Sequence, residues 1–409
     1  MQIQELKGKR VAFWGMGKEC SSFLPLLRER LQELTPALLN DSPLSDSEMA
    51  WTAQNGIAPI ICGEEISSAL KNFDVIIKSP GVSCYRPEIL SAKSLGVIFT
   101  SPVSLWFAEH ADARTICVTG TKGKSTTSAM IAHLLKCSGL KVALTGNIGN
   151  PVWGFDLGFQ SYDWWVIELS SYQLSELKIS PNVAVLTNLY PEHQDWHRST
   201  QQYYDDKLRL FRYLGPNSRA VINYDFKGRV CLPPAQILYF NCREGFSQRD
   251  GWFWSESDRI FPSSGMPFQG EHNFINACAA LTVAKLVGVD LVCAQEALRS
   301  FIPLPHRLEV LGEREGLIYV DDSISTIPES ALAAVRAFSG RPITLLLGGF
   351  DRGQEWSELA ESLIKVKVHA VITMGQNRAL ILEALQDAKQ SAPDGGSETL
   401  LLPSQNLDE

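Results

Sequence analysis

The sequence predicts an α/β protein of three domains, each built on a mostly parallel sheet. Short aliphatic and β-branched runs alternate with helical stretches along most of the 409 residues, which is typical of strands joined by crossover helices. A chain of this length is expected to form two or three hydrophobic cores rather than one. Residues 301–307 contain two prolines and have the character of a stiff linker. We therefore predict domains at residues 1–110, 111–302 and 303–409.

The first domain is predicted to hold a nucleotide diphosphate at its first strand–helix turn. Strands are expected at residues 10–14, 36–40, 74–78 and 97–100. Gly15-Met16-Gly17 follows the first strand, a helix then runs through residue 27, and Asp41 follows the second strand. A diphosphate can rest on such a helix N-terminus, with an ordinary strand–helix turn as the alternative. Cys20 occupies the position of the third glycine of a dinucleotide fingerprint, so a nicotinamide-dependent dehydrogenase is disfavoured.

The second and third domains continue the alternation of strands and helices. In the second domain, strands are expected at residues 115–118, 141–144, 165–168, 183–188, 221–223 and 237–239. A turn-rich β region up to residue 262 and a helix at 273–286 complete that domain. In the third domain, strands are expected at 317–320, 343–347 and 370–373, with a further strand or turn at 400–402.

The strongest local motif lies between the first strand and the first helix of the second domain. It reads Gly120-Thr121-Lys122-Gly123-Lys124-Ser125-Thr126. The glycines let successive backbone N–H groups face one point, and the helix adds its positive end. Lys124 is expected to reach the β- and γ-phosphates of a nucleotide, and the Ser125 hydroxyl suits Mg²⁺. Two residues separate the glycines instead of the usual four, but the strand before and the helix after still indicate phosphate binding.

Two further strand ends of the second domain carry polar side chains that suit a ligand site. Glu168 closes one strand and is a natural Mg²⁺ ligand in a domain with a phosphate loop, or else an exposed strand-end carboxylate. His193 and His197 follow another strand with the spacing of a zinc helix. Zinc is nevertheless disfavoured, because the sequence between them lacks the HExxH pattern and Pro191 precedes them. Lys207, on a helix expected to begin near residue 201, has the pattern of an exposed surface lysine.

The third domain offers cationic and acidic groups close to its own strand ends. His306-Arg307 lies in the proline-rich linker, and Asp321-Asp322 follows the next strand. Arg307 would suit a phosphate or a ribose as a planar donor. Arg352, after a later strand, could hold a carboxylate with two hydrogen bonds.

Composition excludes several classes of protein. The formal charge is −8 and no basic stripe occurs, so non-specific nucleic-acid binding is disfavoured. No apolar run approaches the ~18 residues of a membrane helix, and the N-terminus lacks the features of a signal peptide. Nine scattered cysteines without a CxxC pair indicate reduced thiols, hence a cytoplasmic protein.

Taken together, these motifs resemble the Mur ligases of peptidoglycan synthesis. The matching motifs span nearly the whole chain: Gly120 to Thr126, Gly146-Asn147-Ile148-Gly149, Glu168-Leu169-Ser170-Ser171-Tyr172-Gln173, Asn188 with Glu192-His193, Gly270 to Asn276, Pro305-His306-Arg307, Asp322-Ser323 and Gly348-Gly349. Glu168 to Gln173 and Ser79-Pro80-Gly81 resemble the MurD-type branch, whose members add glutamate to UDP-N-acetylmuramoyl-L-alanine through an acyl phosphate.

The resemblance implies a fold and a set of roles. It implies a Rossmann-like UDP domain, a central P-loop-type ATPase and a Rossmann-like amino-acid domain, acting as a monomer with ATP and Mg²⁺. It assigns the metals to Ser125, Glu168, His193 and a carbamylated Lys207, with Lys124 as the catalytic cation. Asn276, Arg307 and Asp322 would contact the nucleotide. The remaining substrate contacts fall to Gly15, Gly17, Asp41, Ser79, Pro80, Gly81, Asn147, Ser170, Gln173, Thr326 and Arg352.

Two departures from the MurD-type pattern leave alternatives open. Ile324 stands where a lysine commonly follows the Asp-Ser pair, and with residues 348–353 it resembles a subgroup that adds L-glutamate and leaves inversion to a separate epimerase. We favour L-glutamate over D-glutamate on that basis. The chain ends at Glu409, before the Ser- and Phe-bearing segment with which related chains continue, so the third domain is expected to be truncated. Two other hypotheses stay open beside an active glutamate ligase: an inactive nucleotide-binding remnant and a folate polyglutamylating enzyme.

Overall fold

The computed structural model describes residues 1–154, 162–233, 236–351, 353–392 and 398–405. The chain forms two compact units. The first comprises Met1–Ser264 with Ile275–Ser300, and the second comprises Gly265–Phe274 with Phe301–Glu409. The predicted α/β class is confirmed, since separate mostly parallel sheets alternate with helices in both units. The predicted domain limits near residues 110 and 302 stay a prediction.

The first part of the chain folds around a five-stranded parallel sheet in the order β3-β2-β1-β4-β5. The central strands β1 and β4 are buried along their whole length, as continuous apolar runs in a sheet covered on both faces should be. The elements are β1 Val11–Trp14, α1 Lys18–Arg30, β2 Ala37–Asn40, α2 Asp46–Gln54, β3 Ile60–Cys62, α3 Glu65–Ala69, β4 Val75–Lys78, α4 Pro87–Ser94, β5 Ile98–Thr100 and α5 Pro102–Glu109.

The rest of the first unit is built on a nine-stranded sheet in the order β14-β13-β12-β11-β10-β9-β6-β8-β7. Its strands are parallel from β7 to β12, and β13 and β14 extend it as an antiparallel hairpin. The strands are β6 Thr115–Thr119, β7 Val142–Gly146, β8 Trp164–Glu168, β9 Val183–Leu186, β10 Arg219–Asn223, β11 Ile237–Phe240, β12 Phe246–Arg249, β13 Trp252–Ser255 and β14 Asp258–Pro262. The helices are α6 Lys124–Cys137, α7 Ser171–Leu174, α8 Gln194–His197, α9 Thr200–Arg212, α10 Glu271–Leu286 and α11 Leu291–Arg299, of which the first four residues of α10 are assigned to the second unit.

The second unit contains an antiparallel pair, β15-β16, and a parallel sheet in the order β17-β18-β19. The elements are β15 Glu309–Arg314, β16 Leu317–Asp321, α12 Pro328–Ala337, β17 Thr344–Gly349, α13 Ser357–Lys365, β18 Ala370–Gly375, α14 Arg378–Gln390 and β19 Leu400–Pro403. A small apolar core packs α13 and α14 against β18 through Leu363, Val371 and Ile381.

Every strand that the apolar runs predicted is present, with ends shifted by at most two residues. Two strands, β3 and β15, were not predicted. The helix expected at residues 273–286 begins two residues earlier, at Glu271. None of the helices in the described part of the chain has the length and apolarity that crossing a lipid bilayer requires.

Candidate functional site

The glycine-rich turn after β6 has the geometry of a phosphate cradle. Gly120 and Gly123 both have positive φ, at 151° and 78°. A Cβ on Gly120 would lie 1.9 Å from Thr187 Oγ1, and one on Gly123 would lie 2.4 Å from Asn276 Oδ1. Side chains are thus excluded at both positions by backbone conformation and by space. The turn leads directly into α6, whose first residue is Lys124, so the N-terminus of a 14-residue helix faces the same region.

Contacts from the end of the neighbouring strand β9 hold the turn in place. The Lys122 backbone N–H donates to Asn188 Oδ1 at 2.7 Å, and Lys122 Nζ lies 2.6 Å from Glu192 Oε1. Thr121 is buried and accepts a hydrogen bond from Tyr203 Oη at 3.1 Å. Lys122 is therefore paired with a carboxylate on the neighbouring segment, whereas Lys124 Nζ donates to the turn's own Thr121 carbonyl at 2.9 Å.

Helix α10 places Asn276 against the same turn. Asn276 is 6% exposed, and its Oδ1 accepts a hydrogen bond from Thr127 Oγ1 at 3.2 Å. The close approach to Gly123 brings this predicted nucleotide contact beside the predicted phosphate loop, although 153 positions separate the two residues in sequence.

Glu168 lies at the C-terminal end of β8, next to the strand that leads into the turn. Residues Val118 and Glu168 are paired across β6 and β8. The Glu168 side chain is 1% exposed, so the alternative of an exposed strand-end carboxylate is wrong. Its Oε1 accepts from Asn147 Nδ2 at 2.9 Å, whereas its Oε2 has no hydrogen-bond partner in the described part of the chain. A buried carboxylate oxygen without a donor is costly unless a cation occupies the site, so Glu168 fits the predicted metal ligand.

Lys207 is buried, which makes its interpretation as a surface lysine wrong. It is 2% exposed on α9, and its Nζ donates to the Gly120 carbonyl at 2.8 Å and lies 4.7 Å from the centre of the Tyr203 ring. Burial, with the nearby Lys124 cation as the next cause, lowers the pKa of Lys207 well below its ordinary value. The fold therefore places beside the phosphate turn an amine whose charged form is disfavoured by its surroundings.

His193 and His197 both lie near Tyr172 and Tyr203 but differ in burial and in their polar contacts. His193 precedes α8 with a φ of 53° and is 48% exposed, with its ring centre 5.1 Å from that of Tyr172. Burial lowers the pKa of His193, and the neighbouring lysines add to this, so the neutral imidazole that metals bind is favoured. His197 is fully buried and contacts Asp206 at 2.6 Å and Ser171 at 3.0 Å.

The N-terminal sheet carries a cavity of about 520 Å³ at the end of β1. Its lining includes four residues predicted to bind the substrate: Gly15 and Gly17, in the turn predicted to hold UDP, and Ser79 and Gly81. Pro80 lines a second cavity of about 540 Å³, together with Lys78 and Gln173. Asp41 is held by Arg86, whose Nη1 lies 2.9 and 2.8 Å from the two Asp41 carboxylate oxygens.

The short helix α7 connects the Glu168 strand end with the N-terminal sheet. Ser170 caps the helix by accepting from the Gln173 backbone N–H at 3.3 Å, and Gln173 Oε1 accepts from the Ser170 N–H at 2.7 Å. Gln173 Nε2 then donates to Glu19 Oε1 on α1. The other Glu19 oxygen is buried without a partner among the described residues, and burial raises the pKa of Glu19 to about 7.

The remaining predicted residues belong to the second unit. Asp322 accepts from the Leu308 backbone N–H at 3.0 Å and from Ser325 Oγ at 2.6 Å. The Thr326 carbonyl accepts from Gln354 Nε2 at 3.0 Å. Arg307 is partly buried at the start of the β15 segment. Arg352 lies outside the described residues.

Sequence reasoning missed three polar residues of the first unit. Glu19, Tyr85 and Asp206 make contacts that join the N-terminal sheet to the segments carrying Gln173 and Lys207. Their residue types alone do not distinguish them from exposed polar side chains.

Comparison with known proteins identifies relatives over nearly the whole chain. A family model described as the Mur ligase middle domain matches residues 118–284. The UDP-N-acetylmuramoyl-L-alanine–L-glutamate ligase of Xanthomonas euvesicatoria is 39% identical over 386 residues, which is 92% of this chain and 82% of that protein. The protein of the same name from Micromonospora sp. is 34% identical over 407 residues, covering 96% of this chain and 88% of that protein.

Solved structures agree on the fold. A crystal structure of MurF from Acinetobacter baumannii has a TM-score of 0.58 at 18% identity, and the match covers 96% of this chain and 90% of that one. At this identity the similarity shows a common fold and nothing about the substrate.

Proposed function

This chain belongs to the Mur ligase family, and from that membership we propose that it joins L-glutamate to UDP-N-acetylmuramoyl-L-alanine at the expense of ATP, in peptidoglycan precursor synthesis. The observation that carries the proposal is the 39% identity over 92% of the chain to a ligase named for this reaction. Ile324, which occupies the position of a common lysine in the D-glutamate branch, supports the L-enantiomer independently. The relatives described above are named for the addition of L-glutamate to UDP-N-acetylmuramoyl-L-alanine, which favours this reaction over folate polyglutamylation.

The proposed reaction begins with activation of the L-alanyl carboxylate. Its oxygen attacks the ATP γ-phosphorus, the bond to the β-phosphate oxygen breaks, and an acyl phosphate and ADP result. The α6 N-terminus and the backbone N–H groups of the turn would hold the β- and γ-phosphates, with Lys124 offsetting the charge of the transferring group. The glutamate amine then attacks the acyl carbon and loses a proton, and inorganic phosphate leaves.

The residues of the first unit fit a divalent cation, and Mg²⁺ is the ion that nucleotide-dependent ligases of this kind employ. When bound, Mg²⁺ would neutralise negative charge on the phosphates, including the charge that the transferring group carries in the transition state. One ion would be held by Glu168, whose buried Oε2 has no hydrogen-bond partner among the residues that the structure describes, and by Ser125 in the first turn of α6. His193 and a carbamylated Lys207 would hold a second.

Carbamylation of Lys207 is supported by the environment of its amine. Burial lowers the pKa of Lys207, which raises the share of the neutral amine, the form that carries a lone pair on Nζ. That lone pair can attack the carbon of CO₂, so that an N–C bond forms, one C–O π pair moves to oxygen and the proton leaves Nζ to water. The product carries a carboxylate-like group, which converts a buried cation site into a metal ligand.

Substrate contacts are proposed for the remaining predicted residues. Asn276, Arg307 and Asp322 would bind the nucleotide. The cavity lined by Gly15, Gly17, Ser79 and Gly81 is large enough for part of the UDP-sugar, with Pro80 and Asp41 beside it. Asn147, Ser170 and Gln173 would face the muramoyl-alanine end, whereas Thr326 and Arg352 would bind glutamate.

A ligation assay with both glutamate enantiomers tests the function and its specificity together. Phosphate release is measured with ATP, Mg²⁺ and UDP-N-acetylmuramoyl-L-alanine, adding L- or D-glutamate, and the product is identified by mass spectrometry. Turnover with L-glutamate alone is the expected result, and Lys124→Ala is the control that should abolish it. Turnover with D-glutamate alone would contradict the L-enantiomer assignment. ATP binding without any turnover would favour an inactive nucleotide-binding remnant.

The proposed function also implies a downstream enzyme, an oligomeric state and a cellular compartment. An L-glutamyl product requires a separate epimerase downstream if a D-residue is to enter the peptide. We propose a monomeric, cytoplasmic enzyme, consistent with nine free cysteines.

A further inference from the structure

A single buried carboxylate, Asp206, is the centre of a hydrogen-bond network beside the candidate site. Asp206 is 1% exposed and directly precedes Lys207 on α9. Its Oδ1 accepts from Tyr85 Oη at 2.6 Å and from Gln202 Nε2 at 3.0 Å, and its Oδ2 lies 2.6 Å from His197 Nδ1. Three donors thus satisfy one buried carboxylate, which is the condition under which such a group is tolerated.

The network continues from His197 to the helix that follows Glu168. His197 is fully buried, and its Nε2 lies 3.0 Å from the hydroxyl of Ser171, the first residue of α7. With Nδ1–H donated to Asp206, Nε2 accepts from the serine hydroxyl. Asp206 therefore fixes the imidazole, and the imidazole fixes the start of α7, which also carries Gln173.

The third arm of the network reaches the N-terminal sheet. Tyr85 belongs to the loop after β4 that contains the cavity residues Ser79 and Gly81. Burial and the Asp206 carboxylate raise the pKa of Tyr85, so its hydroxyl remains a donor. The same loop makes two more contacts with α8: Ser83 Oγ donates to the Trp196 carbonyl at 2.8 Å, and Trp196 Nε1 donates to the Gly81 carbonyl at 3.0 Å.

We propose that Tyr85, Asp206 and His197 are positioning residues. They couple binding of the nucleotide sugar, in the cavity at the end of β1, to the position of Lys207 on α9 and so to its reaction with CO₂. This rests on the proposed function, because it takes the cavity as the UDP-sugar site and Lys207 as the residue that reacts with CO₂. A ligand that orders the loop of residues 79–86 orders Tyr85, and through Asp206 it restricts α9 at the residue adjacent to Lys207.

The geometry favours coupling over simple packing for a specific reason. The neighbours Asp206 and Lys207 point in different directions, one to Tyr85 of the N-terminal loop and the other to the Gly120 carbonyl of the phosphate turn. A shift of α9 that keeps one contact disturbs the other. The same placement of α9 therefore favours both substrate binding beside the loop and the position of Lys207 that reacts with CO₂. Thermodynamic linkage then requires substrate binding to favour carbamylation, and carbamylation to tighten substrate binding, by the same factor.

The test compares Tyr85→Phe with Tyr204→Phe in the full-length protein. Both variants lose only a phenolic hydroxyl, and Tyr204 lies on α9 but makes none of the network's contacts. The fraction of carbamylated Lys207 is measured by ¹³C NMR in ¹³C-bicarbonate, with and without UDP-N-acetylmuramoyl-L-alanine. The dissociation constant of that substrate is measured by calorimetry in CO₂-free and in bicarbonate buffer. Lys207→Ala identifies the carbamate resonance.

In the wild type and in Tyr204→Phe, bicarbonate is expected to tighten substrate binding about tenfold, and the substrate is expected to raise the carbamate fraction correspondingly. In Tyr85→Phe both effects are expected to fall to about twofold or less, with an unchanged circular dichroism spectrum. Asp206→Asn, which retains the shape of the side chain, should show the same loss.

Three outcomes overturn the proposal and can be told apart. Coupling that survives in Tyr85→Phe contradicts the role of the network alone. A carbamate fraction in the wild type that does not change when the substrate is added contradicts the coupling, but it leaves the assignment of Lys207 as the carbamylated residue intact. A wild type without any carbamate signal overturns the coupling together with the assignment of Lys207, and the ligation assay decides separately whether the enzyme is a ligase.

Discussion

Glu19→Gln is expected to change how stability depends on pH, because the fold holds this carboxyl group in a place where its charged form is poorly compensated. Glu19 receives one hydrogen bond, from Gln173, and its second oxygen is buried without a partner in the described part of the chain. Burial is the main cause that raises the pKa of Glu19 from 4.5 to about 7; Lys78 opposes the rise, and the buried Cys20 thiol is adjacent. The folded protein therefore keeps this proton up to a pH of about 7, whereas a Glu side chain ordinarily loses it near pH 4.5.

The sign and size of the effect follow from proton linkage. Because the folded-state pKa is the higher one, Glu19 costs no stability below pH 4.5, and the cost grows as the pH rises through about 7. A carboxyl group held at a pKa of about 7 instead of 4.5 loses about 3 kcal/mol when fully ionised, of which about 2.5 kcal/mol falls between pH 5 and pH 8. The amide of the Gln variant does not ionise, so its stability should lack this decline.

Urea unfolding followed by tryptophan fluorescence at several pH values between 5 and 8 measures the effect. The difference between wild type and Glu19→Gln removes any cost that is independent of pH. Glu29→Gln, at an exposed position on the same helix, is the matched control and should leave the wild-type profile unchanged. Parallel profiles for wild type and Glu19→Gln would refute the argument that this carboxyl group is protonated in the folded state.

The other predictions concern the candidate site itself. Gly123→Ala should lower kcat/KM by about 100-fold or more in a steady-state assay, because the added Cβ displaces the phosphate turn. Gly215→Ala is the control and should retain activity, because the nearest atom to its added Cβ is 3.4 Å away. Lys207→Ala should reduce kcat by about 100- to 1000-fold with a smaller change in the KM for ATP, and full activity would contradict its role. Asn147→Ala removes the donor to Glu168 Oε1 and should raise the Mg²⁺ concentration for half-maximal activity about tenfold, measured by magnesium titration of the initial rate.

Much of the fold could be predicted because the central strands are continuous apolar runs. Strands such as β4 and β9 are buried on both faces, so every residue contributes to the signal. The two strands that were missed lack this property. Residues of β3 are only partly buried at the edge of its sheet, and β15 reads Glu-Val-Leu-Gly-Glu-Arg, with charged ends and a glycine that carries no strand preference.

The candidate site was predictable where local sequence determines local geometry. The phosphate turn follows from glycines between a strand and a helix, and Gly120 and Gly123 have the positive φ values that such a turn needs. Contacts between distant segments have no comparable signal. Tyr85 and Asp206 are 121 positions apart, and neither residue type indicates that the other will be its partner.

Lys207 shows why residue type alone misleads about chemistry at such a site. An exposed lysine is cationic and would repel a metal ion, yet burial against the turn favours the neutral amine, and that amine donates to the Gly120 carbonyl. The proposed reaction with CO₂ would remove one hydrogen from Nζ and leave one, so the hydrogen bond to the Gly120 carbonyl could persist. That carbonyl oxygen, which would repel a nearby carboxylate, would still be satisfied by the remaining N–H. The packing that desolvates Lys207 would then both permit the proposed modification and orient its product, and this inference requires the helix and the turn to be placed side by side.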